Sequence, residues 1–222
     1  MVSCFFLIYK YPFISVGYRN DKFFFHTNPY ISNVTQQCRC SPRLIFRAWA
    51  TCVASVRLHG VGGQTVQTLQ ANHLHLVRGL APDIVILEIG TNDLSKLPPE
   101  KVGSAIEDLV RRFQSDFSVR AIGVCYVIPR GIFFPYAMSF WRNSTVLNQY
   151  VSVLLADLLN VFCWSHPEFN NLHKDFYLAD AVHLNPSRQC LLYRSYRGAV
   201  VKAVGLLQKN WPMTFTRVFS HV

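Results

Sequence analysis

Four short apolar runs, each separated from the next by a segment of helical periodicity, constrain most strongly what this chain can fold into. The runs cover residues 56–59, 84–89, 121–128 and 161–164. Between and after them, apolar residues recur three and four positions apart, which predicts helices over 65–80, 98–113, 141–159 and 186–208. Strands that alternate with helices of this length form parallel sheets covered on both faces. We therefore predict an α/β fold, a three-layer α/β/α sandwich around a mostly parallel, doubly wound sheet.

The chain of 222 residues is long enough to bury one sizeable core, and half of its residues are hydrophobic. Residues 1–55 differ from the rest, because they are rich in aromatic side chains, contain three prolines and show no clear strand-turn-helix order. We interpret 1–55 as an atypical N-terminal segment that is either disordered or wrongly joined to the rest. Residues 56–208 are the predicted folded domain, and 209–222 are a C-terminal tail.

The net charge of +10 is concentrated at the two ends of the chain. Residues 1–59 contain seven basic residues and one acidic residue, and 188–222 contain six basic residues and no acidic one. One interpretation is that the ends bind the phosphate backbone of a nucleic acid. The contacts on the last helix would then be Arg188, Arg194, Arg197, Lys202 and Lys209. The simpler interpretation is a solvated helix face beside a disordered N-terminal segment.

The cysteines and histidines form no metal-binding pattern in the sequence. The seven cysteines are odd in number and include no Cys-x-x-Cys pair, which favours reduced thiols in an intracellular, cytoplasmic protein. No carboxylate or cysteine partner at metal-ligand spacing accompanies His59, His73, His75, His166 or His173. We therefore predict no metal site. No apolar stretch reaches the length of a membrane span, so we expect no transmembrane helix.

Polar residues follow the ends of the predicted strands, where ligand sites of doubly wound sheets lie. Gly63 ends a glycine-rich turn after the first strand, and Asn92 follows the second strand in Gly-Thr-Asn-Asp. A backbone N–H and a side-chain amide in such positions can stabilise an oxyanion. A tight turn and an Asx turn explain the same two residues without any chemistry. Asp93 is better explained as an acceptor for loop N–H groups than as a catalytic acid.

Asp180 and His183 precede the start of the last predicted helix. A carboxylate three residues before a histidine can fold back and accept its Nδ1–H, which leaves Nε2 as a general base. The alternative is a surface loop in which the two side chains do not touch.

Taken together, these blocks resemble the SGNH (GDSL-type) hydrolase family over about residues 57–207. The resemblance implies a flavodoxin-like sheet, an oxyanion hole made by Gly63 and Asn92, and an acid/base pair made by Asp180 and His183. It also implies hydrolysis of a small carboxylic ester without a cofactor. Three stretches, 59–65, 82–94 and 193–198, are similar more narrowly to SGNH-like domains encoded by animal retroelements.

The nucleophile of that family is a serine in a Gly-Asp-Ser block, which should lie upstream of Gly63 and is absent from this sequence. The candidate serines upstream are Ser15, Ser32, Ser41 and Ser55, none of which has the Gly-Asp context. Because the nucleophile strand is central in the fold, residues 5–16 or 22–26 must substitute for it, or its neighbours keep unpaired backbone groups. We interpret the chain as a truncated or wrongly joined gene product.

The sequence therefore leaves two main functions open. The first is an SGNH-type esterase, which we expect to be weak or inactive unless an upstream serine is correctly placed. The second is a non-catalytic, retroelement-derived module that binds nucleic acid through its basic ends. A nucleotide-binding domain has less support, because the glycine turn lacks the G-x-G-x-x-G fingerprint and no phosphate-binding lysine follows it.

Overall fold

The computed structural model describes residues 3–10, 55–131, 135–169 and 176–209. Its strands are β1 (Ser3–Lys10), β2 (Ser55–Gly62), β3 (Ile84–Leu87), β4 (Ala121–Cys125) and β5 (Val161–Trp164). Its helices are α1 (Val66–Asn72), α2 (Leu74–Leu80), α3 (Pro99–Phe117), α4 (Ala137–Leu154) and α5 (Pro186–Lys209). None of the helices in these ranges combines the length and the hydrophobicity that crossing a membrane requires.

The five strands form one sheet in the order β2-β1-β3-β4-β5. β3, β4 and β5 are parallel, and β1 is antiparallel to both of its neighbours. β2 therefore runs in the same direction as β3, and four of the five strands share one direction. This arrangement confirms the predicted α/β class and the mostly parallel sheet.

β1 lies between β2 and β3, one position away from the centre of the sheet. This strand overlaps the first of the two segments expected to substitute for the nucleophile strand, 5–16, whereas 22–26 lies outside the described residues. β1 gives backbone hydrogen-bond partners to both β2 and β3, so neither is left with an open edge on that side. Because β1 is antiparallel to its neighbours, its first residue lies at the edge of the sheet where the other strands end.

Side chains alternate along the parallel strands and so divide the core into two parts. Val85 and Leu87 face a cluster that also contains the buried residues of α1, α2, α3 and α4. Ile84 and Ile86 face the opposite way, into a cluster with α5. Because both faces of the sheet are covered by helices, the molecule has the predicted three layers.

The single helix predicted over 65–80 is wrong, since the structure has two short helices that meet at His73. His73 leaves the helical conformation, with φ −125° and ψ −6°. The break allows Leu74 to be buried beside Leu69, and the His73 ring lies near the His59 ring, with centroids 5.3 Å apart. The break buries the apolar Leu74 side chain instead of the His73 imidazole, and this explains why a single regular helix does not form.

Gly123 lies in the α5-facing part of the core, and a larger residue at this position would show how tightly that part is packed. A Cβ at this position would lie 2.7 Å from the Phe162 ring and 2.8 Å from Ile86. We expect Gly123→Ala to lower the free energy of unfolding by about 1–3 kcal/mol, measured by urea denaturation, because the extra methyl group overpacks the core. Gly79→Ala is the matched control, since nothing lies within 4 Å of its Cβ in an exposed part of α2. Its effect should be neutral or stabilising, and equal losses in both variants would contradict the packing argument.

Candidate active site

Two of the predicted site residues, Gly63 and Asn92, are joined through Gln64. Gly63 follows β2 and has a φ of +72°, a conformation that favours glycine. The next residue, Gln64, is buried, and its backbone carbonyl oxygen accepts a hydrogen bond of 2.9 Å from Nδ2 of Asn92. The turn after β2 and the turn after β3 are therefore held together at the carboxyl edge of the sheet.

Asp93 caps the first helix, as the sequence suggested for a structural acceptor. Its carboxylate accepts hydrogen bonds from the backbone N–H of Val66, with distances of 3.1 Å to Oδ1 and 3.3 Å to Oδ2. Burial raises the pKa of Asp93, and the hydrogen bond from Val66 opposes that rise. A carboxylate at the N-terminus of α1 also interacts favourably with the helix dipole. Asp93 thus fixes the start of α1 against the loop that carries Asn92.

Gly90 allows the chain to turn sharply between β3 and Asn92. It has a φ of +107°, and a Cβ there would lie 3.3 Å from Leu147 and 3.4 Å from Val127. A larger residue would therefore be strained by its backbone conformation and crowded by the core. The Gly-Thr-Asn-Asp sequence has its glycine where the structure needs one.

Asp180 and His183 are in contact. His183 Nδ1 lies 2.5 Å from Asp180 Oδ2, and Asp180 Oδ1 accepts hydrogen bonds of 2.9 Å from the backbone N–H groups of Val182 and His183. Partial burial raises the pKa of Asp180, but the hydrogen bonds from His183 and Val182 lower it by more. The net result is a pKa of about 2. The carboxylate is therefore ionised at neutral pH and can accept Nδ1–H, while the His183 side chain remains one-third exposed.

The segment that follows β4 connects the two halves of the site. Nη2 of Arg130 donates to the carbonyl oxygen of Thr91 at 3.2 Å, next to Asn92. The backbone N–H of Gly131 donates to the carbonyl oxygen of Ala181 at 2.7 Å, next to Asp180. Arg130 is buried, and its guanidinium lies 4.3 Å from the centre of the Phe140 ring.

Sequence reasoning missed Gln64 and Arg130. Gln64 acts through its backbone carbonyl, which has no sequence signature. Arg130 comes two residues after the third predicted strand, so its position near a strand end was the available signal.

The serines upstream of Gly63 lie in different places relative to this edge. Ser15, Ser32 and Ser41 are outside the described residues. Ser55 begins β2 and pairs with Lys10, so it lies at the opposite edge of the sheet. Ser3, which pairs with Gly62, lies at the same edge as Gly63.

A second group of chemically active side chains lies under α5. Within the described residues, Glu88, Cys125 and His166 have ligand atoms that all lie within 4.8 Å of one another. Burial raises the pKa of Glu88 to about 7 even though the Tyr196 hydroxyl donates to it, and burial lowers the pKa of His166 to about 4. Burial and the neighbouring carboxylate raise the pKa of the Cys125 thiol. No sequence motif predicts this group, because its members are far apart along the chain.

Comparison with known proteins gives a family and a fold. The model of the GDSL-like lipase/acylhydrolase family matches residues 34–187. No curated protein sequence matches the chain. Among solved structures, the fold is similar to a carbohydrate esterase family 3 protein from Talaromyces cellulolyticus, with a TM-score of 0.54 and 14% identity. That alignment covers 64% of this chain and 69% of the other.

A catalytic mutant of Axe2, an acetylxylan esterase from Geobacillus stearothermophilus, is also similar, with a TM-score of 0.51 and 19% identity over 64% of this chain and 68% of the other. At these identities the structural likeness establishes the fold alone. The family model, however, spans more than half of the chain and includes the turns that carry Gly63, Asn92, Asp180 and His183. The chain belongs to the GDSL-like lipase/acylhydrolase family.

Proposed function

We propose that this chain hydrolyses small carboxylic esters through a serine nucleophile, with His183 as the base and Asp180 as the residue that orients it. The single observation that carries the proposal is the contact between His183 Nδ1 and Asp180 Oδ2 at 2.5 Å in a partly exposed loop. An ionised carboxylate on Nδ1 holds the ring in the tautomer whose Nε2 accepts a proton. The protein is a GDSL-like hydrolase by family, and the proposal adds a working acid/base pair.

The first half of the reaction transfers an acyl group to the serine. The serine Oγ attacks the ester carbonyl carbon, and its proton passes to Nε2 of His183. Negative charge develops on the carbonyl oxygen, where the backbone N–H of Gly63 and the Nδ2 amide of Asn92 stabilise it. The C–O bond to the alcohol then breaks, and His183 gives its proton to the leaving oxygen.

The second half uses water in place of the serine. His183 Nε2 takes a proton from water, the resulting hydroxide attacks the acyl-serine, and the same two N–H donors stabilise the second oxyanion. Collapse of this intermediate releases the carboxylic acid and returns the proton to the serine. The anchoring of Asn92 on Gln64 and of Thr91 on Arg130 keeps the donors in place without reorganisation during the reaction.

The reversed direction of β1 suggests where the nucleophile comes from. Ser3 pairs with Gly62 and therefore lies next to the turn that contains Gly63, whereas Ser55 is at the far end of the same strand pair. Ser3 is preceded by neither Gly nor Asp, so it would supply only the hydroxyl group. We accordingly propose Ser3 as the nucleophile to test first and expect turnover to be slow.

We expect a fluorophosphonate probe to label the full chain on the peptide that contains Ser3. Ser3→Ala should abolish labelling, because it removes the attacking oxygen, whereas Ser55→Ala should label like the wild type. Mass spectrometry of the digested protein identifies the labelled peptide, and hydrolysis of p-nitrophenyl acetate gives the rate. A folded protein that is not labelled at any serine would refute ester hydrolysis, and labelling at another serine would refute the role of Ser3.

Asp180→Asn tests the orienting role of the carboxylate. The amide oxygen can still accept the backbone N–H groups of Val182 and His183, but the negative charge beside the ring is lost. We expect kcat for p-nitrophenyl acetate to fall by about 10²- to 10⁴-fold with little change in the unfolding temperature. Asp157→Asn, at an exposed position after α4, is the control and should leave kcat unchanged. Equal rates for the wild type and Asp180→Asn would contradict the assignment.

A nucleic-acid-binding module is the second candidate function, and the surface of α5 is the observation in its favour. Arg194, Arg197 and Lys202 are exposed on this helix, whose sequence contains no acidic residue. Two other contacts argue against nucleic-acid binding by this surface. Lys202 lies 4.6 Å from the centre of the Phe162 ring, and Arg188 lies 3.8 Å from the centre of the Phe176 ring. Two of the five expected cations therefore already contact aromatic rings.

We expect gel-shift titration with single-stranded RNA at two salt concentrations to show, at most, weak binding that falls steeply as salt rises. Replacement of Arg194 and Arg197 by Gln should weaken any phosphate-dependent binding, whereas replacement of Arg111 and Arg112 on α3 should not. Tight binding at both salt concentrations that survives the Arg194 and Arg197 substitutions would contradict binding by α5.

A further inference from the structure

The ends of three neighbouring strands each contribute one potential metal ligand beneath α5. Glu88 directly follows β3, Cys125 is the last residue of β4, and His166 follows β5 by two residues. None of these residues belongs to the proposed catalytic machinery. All three are buried, with exposed fractions of 7%, 2% and 3%.

Strand register and side-chain alternation explain why they converge. Leu87 pairs with Val124, so the next residues, Glu88 and Cys125, are level with each other on adjacent parallel strands. Alternation gives Glu88 the same orientation as Ile86, which faces α5. Cys125 belongs to the same core cluster, and the His166 ring packs edge-on against Tyr196 of α5, with centroids 5.7 Å apart.

The Nε2 atom of His166 is the strongest indication that something is bound here. It is buried and has no hydrogen-bond partner among the described residues, and Oε2 of Glu88 is 3.7 Å away. The other ring nitrogen, Nδ1, lies 2.8 Å from Oγ of Ser195, which also accepts Nε1–H of Trp164 at 2.9 Å. A hydroxyl oxygen can accept both N–H groups, which leaves the Nε2 lone pair directed into the cluster.

We propose that Glu88, Cys125 and His166 bind one zinc ion, which joins the carboxyl ends of β3, β4 and β5 beneath α5. The donor set is an imidazole nitrogen, a thiolate sulfur and a carboxylate oxygen, the three ligand types that zinc takes in proteins. A thiolate selects against magnesium and calcium. Two anionic ligands also balance the charge of a divalent ion, so the occupied site is neutral where an isolated charge would be costly.

The geometry needs only a small adjustment. Zinc–ligand bonds of about 2.0–2.3 Å in a tetrahedron separate the ligand atoms by roughly 3.5 Å, compared with separations of up to 4.8 Å in the cluster. Inward movement of each side chain by less than about 1 Å closes that gap, and one further oxygen ligand completes the tetrahedron. Ser195 already holds Nδ1 of His166, and the Tyr196 hydroxyl donates to Oε2 of Glu88, the oxygen that faces His166 Nε2. Metal ligands commonly have such hydrogen-bond partners.

Such an ion would be structural. Its ligands are too deeply buried for a substrate to reach, and the ion must enter during folding rather than through a channel. Glu88 lies two residues before Gly90, so zinc would also fix the strand end from which Asn92 projects. The proposal does not depend on esterase activity.

The test is the zinc content of the full chain. The protein is refolded from denaturant with one equivalent of zinc chloride, loosely bound metal is removed with a chelator, and zinc is measured by plasma mass spectrometry. We expect about one zinc per chain in the wild type and almost none in Cys125→Ser and His166→Gln. Cys163→Ser, on β5 but facing the opposite core cluster, should retain the metal. His73→Gln should also retain it, which excludes the His59–His73 ring pair as the site.

A second measurement covers the case in which the ligand variants do not fold. Wild-type protein refolded with cobalt should show a thiolate-to-cobalt charge-transfer band, since the proposed site contains one cysteine, and Cys163→Ser should keep that band. Wild-type protein that folds but retains no zinc, or cobalt-loaded protein without the band, would overturn the proposal. So would folded Cys125→Ser protein that keeps as much zinc as the wild type.

Discussion

The parallel register of β3, β4 and β5 is the constraint on which the rest of the molecule depends. Because the three strands run in one direction, their carboxyl ends lie side by side, and each is followed by a loop at the same edge of the sheet. Helices cover both faces, so the strands themselves can be almost wholly apolar. Polar side chains therefore lie mostly at or beyond the strand ends. Residues at these ends supply the buried cluster, and together with Asp180 and His183, between β5 and α5, they supply the candidate catalytic site.

The residues that follow β3 make contacts on both faces of the sheet within a few positions. Glu88 continues the alternation of β3 toward α5, where the Tyr196 hydroxyl donates to it. Gly90 then turns the chain against Leu147 and Val127 in the other core cluster. Asn92 and Asp93 follow, and their side chains bond to the backbone at the start of α1. A shift of Glu88 on one face of the sheet would therefore also move Asn92 and Asp93 on the other side of the turn.

β1 is the unusual element in a sheet of this class. It satisfies the backbone of both neighbouring strands, so the fold is complete without a fifth strand in the common direction. Because β1 runs in the opposite direction, its first residue, and not its last, lies at the edge of the sheet that carries the candidate site. A nucleophile that follows β1 along the chain would leave the sheet at the wrong edge, and one that begins β1 lies at the correct edge. Family membership alone therefore does not identify a nucleophile in this chain.

The α/β class, the four strands of common direction and the helix that begins after Asn185 could all be predicted from the sequence. This was possible because apolar periodicity and capping are local properties, and Asn185 Oδ1 does accept the backbone N–H of Arg188. The contact between Asp180 and His183 could also be predicted from the sequence, since the partners are only three positions apart. The break at His73 was not, because the choice between His73 and Leu74 depends on the core that α1 and α2 pack against. Three features required the folded structure: the direction of β1, the hydrogen bond from Arg130 to Thr91, and the proximity of Glu88, Cys125 and His166. These features join residues that are distant along the chain, and strand order and register, which bring them together, are not encoded in any local pattern.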